Sequence, residues 1–124
     1  FNLVNGRNVV ALLAEPEEIE PLMRAVDHPG VGLLLDTGHL NVTAKTLGFS
    51  RELFLETALP FIRALHVHDN DAAVDSHEPV QPGSWVLDVL RRNELEHAVI
   101  IVEAKFNSVS GLRDHVAWLR DQLA

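Results

Sequence analysis

The chain has 124 residues, 47% hydrophobic and 23% charged, an ordinary globular composition and one domain's worth of length. It has no cysteine, which excludes a disulfide scaffold, a zinc ribbon and thiol chemistry. Ten Lys and Arg against 18 Asp and Glu leave a net charge of −8, which disfavours generic binding to phosphate backbones. No apolar run, Val31 to Leu35 included, approaches the roughly 20 residues of a membrane span. The start, Phe1-Asn2-Leu3-Val4-Asn5, carries neither a methionine nor a basic leader. A cytoplasmic piece of something longer is the expectation.

In chain order, Val9-Val10-Ala11-Leu12-Leu13 reads equally as a strand or as a loop leading into a helix. Pro16 then opens a helix, with Glu17 and Glu18 in its first turn and Ile19, Leu22, Met23 and Val26 as its apolar stripe. His28-Pro29-Gly30 stops it. Strands are predicted near 31–36, 62–68 and 98–103. Each is apolar almost throughout, the pattern of a parallel strand covered on both faces. Between the first two, Ser50 reads as an N-cap with Leu53, Phe54, Thr57 and Ala58 behind it. Ser84 reads as another, turning Trp85, Val86, Val89 and Leu90 inward. A last helix from about Ser110 places Leu112, Val116, Leu119 and Leu123 on one face. The order α-β-α-β-α-β-α describes an α/β fold of right-handed βαβ units.

Polar residues interrupt the strands at one end only. Asp36-Thr37-Gly38-His39 closes the first, His66-Val67-His68-Asp69-Asn70 the second and Glu103 the third, while Asp75-Ser76-His77-Glu78-Pro79 follows in a loop. The C-terminal edge of a parallel sheet is where ligands bind. Strand alternation puts Asp36, His66 with His68, and Glu103 on the faces of Leu34 and Ile101. Two carboxylates drawn together out of water repel unless a cation lies between them. Asp, His and Glu without cysteine suit zinc, manganese, magnesium or cobalt. Plainer roles exist for each: Asp36 capping the turn at Thr37-Gly38, a buried structural histidine, a solvated Asp75-His77 loop, or Glu103 paired with Lys105 or Arg113. Glu15 reads as the start of a helix, and His28, His97 and His115 receive no role.

Those motifs carry a resemblance. Leu35-Asp36-Thr37-Gly38-His39, Leu65-His66-Val67-His68-Asp69-Asn70, Asp75-Ser76-His77-Glu78-Pro79 and Ile101-Val102-Glu103 resemble, in order, the C-terminal half of the xylose isomerase-like TIM barrels. That superfamily holds sugar and sugar-phosphate isomerases and epimerases, inosose dehydratases and type-four apurinic endonucleases. The resemblance implies a partial (β/α)8 barrel, three to four βα units over residues 1–124. It implies Asp36, His66 and Glu103 as ligands of the main divalent metal, Glu103 also being a proton-transferring carboxylate. His39, Asp75 and His77 match a further zinc site of the endonuclease branch. His39 contacts substrate in the single-metal sugar enzymes, and His68 is second in line or faces the substrate. A sugar or sugar phosphate is the implied substrate.

Two features depart from the family's pattern. After Pro79 the family has Gly-x-Gly, and Val80-Gln81-Pro82-Gly83 keeps only the second glycine. A fifth-strand glutamate is expected upstream of Phe1. A barrel needs about 250 residues, so the chain is expected to be inactive alone and to form a homo-oligomer or join its missing half. The alternatives are phosphodiester hydrolysis at abasic DNA, which the charge argues against, and a non-catalytic barrel domain.

Overall fold

The computed structural model describes residues 3–5, 7–8 and 11–124. Two short strands, β1 (Leu3–Val4) and β2 (Arg7–Asn8), pair antiparallel at the start. There follow α1 (Pro16–Val26), β3 (Leu33–Asp36), α2 (Thr37–Leu47), α3 (Arg51–Ala58), β4 (Ile62–Val67), α4 (Trp85–Leu90), β5 (Val99–Val102) and α5 (Val109–Leu123). β3, β4 and β5 form one parallel sheet in that order. The α/β architecture expected of a partial barrel is therefore the one that forms.

One face of the sheet is covered. Leu35, Leu65 and Val67 join Phe54, Leu55, Val86, Leu87 and Leu119 in a single buried cluster. Each such side chain contributes roughly 1.5–3 kcal/mol by leaving water. The opposite face is open: Leu34 remains 51% exposed and Ile101 42%. The parallel register aligns Asp36 with His66 and His66 with Ile101.

All three predicted strands are shorter than expected. Val31 belongs to the preceding turn, its N–H donating to the His28 carbonyl (3.0 Å). At Gly32 a Cβ would lie 2.3 Å from Arg63 Cγ and 2.9 Å from the Phe61 carbonyl oxygen, so only glycine fits there. His68 leaves the ladder because Thr37 takes over its backbone: Thr37 Oγ1 donates to His68 O (2.7 Å) and accepts from His68 N (3.2 Å).

The largest departure is α2, which the sequence reading did not anticipate. Thr37 and Gly38 are poor helix formers, and they hide the stripe of Leu40, Ala44 and Leu47. Asp36 caps the helix, its Oδ1 accepting from His39 N (2.8 Å), and Gly48 ends it at φ +79°. α5 is capped by Ser108 and begins at Val109 rather than about Ser110, because Ser108 Oγ accepts from Gly111 N (3.1 Å). Leu112, expected inward, is 37% exposed. Ala11 to Leu13 form no strand, and Val9 and Val10 lie outside the described residues.

Candidate metal centre

The three ligands expected on strands converge at the C-terminal edge of the open face. His66 Nδ1 lies 2.9 Å from Glu103 Oε2 and 3.7 Å from Asp36 Oδ2. The ladder produces this geometry. Asp36 and His66 are register partners, and Glu103 follows Val102, the partner of Val67, with its N–H donating to the Val67 carbonyl (3.1 Å). Among the described residues neither Lys105 nor Arg113 pairs with Glu103. This is the inner cluster.

An outer cluster lies beside it, built from α2 and the loop after β4. His39 Nε2 lies 3.0 Å and His77 Nε2 3.2 Å from the same oxygen, Asp75 Oδ2. Both imidazoles are held from behind. His77 Nδ1 donates to the Glu103 carbonyl (3.0 Å), and His39 Nδ1 lies 3.3 Å from Asp36 Oδ2. A donor on one ring nitrogen leaves the other to bind a metal. A neutral His77 with Nδ1 donating would present the Nε2 lone pair to a carboxylate oxygen, a contact that a proton or an intervening cation relieves. Ligand atoms on a tetrahedral ion with bonds of about 2.0–2.1 Å stand roughly 3.3 Å apart. The outer spacing is close to that.

His77 has φ +56°, a backbone conformation costing on the order of 1 kcal/mol or more for a residue with a side chain. Its surroundings hold it there: Lys105 N donates to its carbonyl (2.8 Å), and its ring stacks on His68 with centroids 4.0 Å and planes 8° apart.

His68 is fully buried. The substrate-facing role expected for it has no exposed surface to act through. Its Nε2 lies 2.9 Å from Asp36 Oδ1 and its Nδ1 3.9 Å from Asp75 Oδ1. It is His68, not the expected His66, that joins Asp36 and Glu103 in the inner group whose ligand atoms lie within 4.8 Å of one another, as it joins His39, Asp75 and His77 in the outer one. A ligated ion lies in the plane of each imidazole that holds it. Near-parallel rings 4.0 Å apart have no such point in common, so His68 and His77 do not hold one ion in this arrangement. Gly38 makes room for the buried ring, since a Cβ there would lie 1.9 Å from His68 Cε1.

Asp36 takes the capping role that its sequence context allowed, though for a helix rather than a turn. Oδ1 caps α2, while Oδ2 is buried with no hydrogen-bond partner. Neither ring nitrogen of His68 makes a hydrogen bond among the described residues, although Nε2 faces Asp36 Oδ1 at 2.9 Å. Buried polar atoms left without a hydrogen bond beside two carboxylates suit a cation. The residues fit a divalent ion.

A family model described as the xylose isomerase-like TIM barrel matches residues 4–122. The chain belongs to that family. It includes sugar isomerases and epimerases as well as apurinic endonucleases, and its members often bind divalent metals. No curated protein and no solved structure matches the chain. Among the described residues no helix is long and apolar enough to cross a membrane. Gly83, the retained glycine of the departing Gly-x-Gly segment, has φ +81° just before Ser84, whose Oγ caps α4 by accepting from Val86 N (3.1 Å).

Residues 11–14 supply one feature that the sequence reading passed over. Together with Leu33–Asp36, His39 and neighbouring apolar residues they line a groove of about 260 Å³. Glu15, at the N-cap of α1, comes directly after them. The signal was the chain order itself, since every other unit places its polar ligand between an apolar run and a helix.

Proposed function

We propose that the chain forms the C-terminal part of the catalytic rim of a metal-dependent sugar or sugar-phosphate isomerase or epimerase. The observation that carries the reading is the convergence of Asp36, His66 and Glu103 around a buried, unpartnered Asp36 Oδ2. A divalent ion held by these three supplies Lewis acidity to adjacent substrate oxygens and makes the neighbouring C–H more acidic. Glu103, whose side chain is 42% exposed, is reachable from the open face and carries the proton at its carboxylate. A partner carboxylate is needed on the other side of the substrate carbon. Although expected upstream of the chain, that role is proposed here for Glu15, which follows residues sharing a groove with Asp36 and His39. The substrate is small and the protein cytoplasmic in this reading.

The outer cluster favours a second reading. His39, Asp75 and His77 are the nitrogen-rich set that suits zinc, and a second ion serves phosphodiester hydrolysis at abasic DNA. The net charge of −8 opposes it.

One experiment separates the two. Full-length protein carrying the complete barrel, loaded with manganese, cobalt or zinc, is incubated with candidate ketoses and aldoses in D2O and, separately, with an abasic-site oligonucleotide. Deuterium entering the sugar next to its carbonyl supports the isomerase reading. Strand scission without exchange replaces it with the hydrolase reading, and neither activity with ion bound leaves a non-catalytic domain.

A further inference from the structure

The inner cluster is placed by the sheet ladder, but Asp75 and His77 sit on a loop with no ladder of its own. That loop is pinned where it leaves and returns: Asp69 N donates to Glu78 O (2.8 Å) and Glu78 N to Asp69 O (2.9 Å). Between those ends, Asn70 connects it to α2, the helix that carries His39. Asn70 Nδ2 donates to the Gly38 carbonyl (2.9 Å), and its Oδ1 accepts from Ala72 N (2.9 Å), which shapes the first turn of the loop. Asn41, buried on α2, donates through Nδ2 to both Asn70 O (3.1 Å) and Asn70 Oδ1 (3.0 Å). Asn41 is fixed in turn, its Oδ1 accepting from Arg51 Nη1 (2.7 Å), and the Arg51 guanidinium lies 4.0 Å over the Trp85 ring. None of these residues touches the candidate ligands through its side chain among the described contacts.

We propose that Asn70, held by Asn41 and Arg51, is a positioning residue for the outer ion site. It sets loop-borne Asp75 and His77 at the distance from His39 that one small divalent ion requires. The proposal rests on the metal reading of the outer cluster. Its particular consequence is selectivity: removing the carboxamide takes away the bond to the Gly38 carbonyl and one of the two bonds from Asn41, loosening the loop from α2, but leaves the register of Asp36, His66 and Glu103 untouched.

The test uses zinc and cobalt(II) as probes, with calorimetry and the visible spectrum of the cobalt protein. The variants are Asn70→Ala, Asn41→Asp and, as a marker of the outer site, His39→Ala. His39→Ala should remove one binding event. Asn70→Ala should weaken that same event about 10- to 100-fold, the usual effect of losing a residue behind a ligand, and lower the cobalt absorption of the outer site alone. Asn41→Asp, which keeps the acceptor for Arg51 and loses both donors to Asn70, should shift it in the same direction. It also carries the test should Asn70→Ala not fold. Wild-type affinity and an unchanged cobalt spectrum in both variants would overturn the proposal. Binding that is identical in wild type and His39→Ala would instead mean that the outer-site reading has failed. Positioning is then read in metal-free protein from the His39 and His77 ring resonances. Loss of their distinct shifts in Asn70→Ala supports the clamp, and unchanged shifts overturn it.

Discussion

Gly38→Ala inverts the usual expectation for a glycine in a helix. Gly38 is the second residue of α2. On an exposed helix the change to Ala gains up to about 1 kcal/mol. Here the new Cβ would lie 1.9, 2.2 and 2.6 Å from Cε1, Nδ1 and Nε2 of His68, a ring with no exposed surface. That ring is a rigid buried plane, stacked on His77 and set between Asp36 and Asp75, so it has no free end to swing away. Overpacking of this kind costs about 1–3 kcal/mol, and losing the ring pair adds roughly 0.5–1.5 kcal/mol. Set against the propensity gain, the net result is a loss of about 1–3 kcal/mol.

Denaturant unfolding of Gly38→Ala beside Gly111→Ala measures this. Gly111 is also helical, but its Cβ would meet only Ser108 Oγ at 3.3 Å and Phe106 Cδ1 at 3.9 Å. It should prove neutral or gain up to about 1 kcal/mol. For a domain of this size Tm should fall by roughly 4 °C per kcal/mol in Gly38→Ala, and zinc binding should weaken with it, because the ring behind Asp36 and His77 has moved. A Gly38→Ala protein as stable as wild type, with unchanged zinc affinity, would refute the placement of His68.

Three further outcomes are expected. Glu103→Gln should lower the exchange rate far more than sugar affinity, and unchanged turnover would make Glu103 structural. His115, half-buried between Phe106 and Trp118, is held below its ordinary value of 6.5 by burial, so the unfolded chain takes up its proton more readily. Its contribution is full above that pH and is lost as pH falls below it; the unfolding midpoint should therefore fall less on acidification in His115→Phe than in wild type, and parallel curves would contradict the assignment. The 124-residue chain should associate in light scattering, because Leu34, Val99 and Ile101 are 51%, 61% and 42% exposed on strands β3 and β5 at the sheet's edges; a well-folded monomer at micromolar concentration would argue against it.

What the sequence makes legible follows from how far each feature reaches along the chain. Apolar runs such as Val99 to Val102 announce strands because the ladder is a local pattern. Period-two alternation then predicts that Asp36, His66 and Glu103 share a face, and they do. Register is not local, and neither is the Leu33/Leu34 irregularity that adjusts it. α2 is hidden in the sequence because its first two residues oppose helix and its cap, Asp36, reads there as a metal ligand or a turn residue. His68 reads from the sequence as the last residue of a strand, but its burial depends on a glycine thirty positions away. Asn70 and Asn41 carry no signal at all as single residues. Their meaning is a set of hydrogen bonds between a loop and a helix that the chain brings together only on folding.

Asp36 is where these levels meet. It ends β3, and the ladder therefore places its carboxylate opposite His66. It begins α2, and capping fixes Oδ1 on His39 N. Both constraints act on one short side chain, which leaves Oδ2 a single direction, toward His66 at 3.7 Å and His39 Nδ1 at 3.3 Å. The inner cluster thus receives Asp36 as a direct member, and the outer cluster receives it through the imidazole of His39. Ligands set by a strand register and a helix cap need no ion to assemble them. The positions of Asp75 and His77, carried by the loop, depend on Asn70. Ion binding at the outer site should therefore stiffen a loop, while ion binding at the inner site should find its ligands already in place.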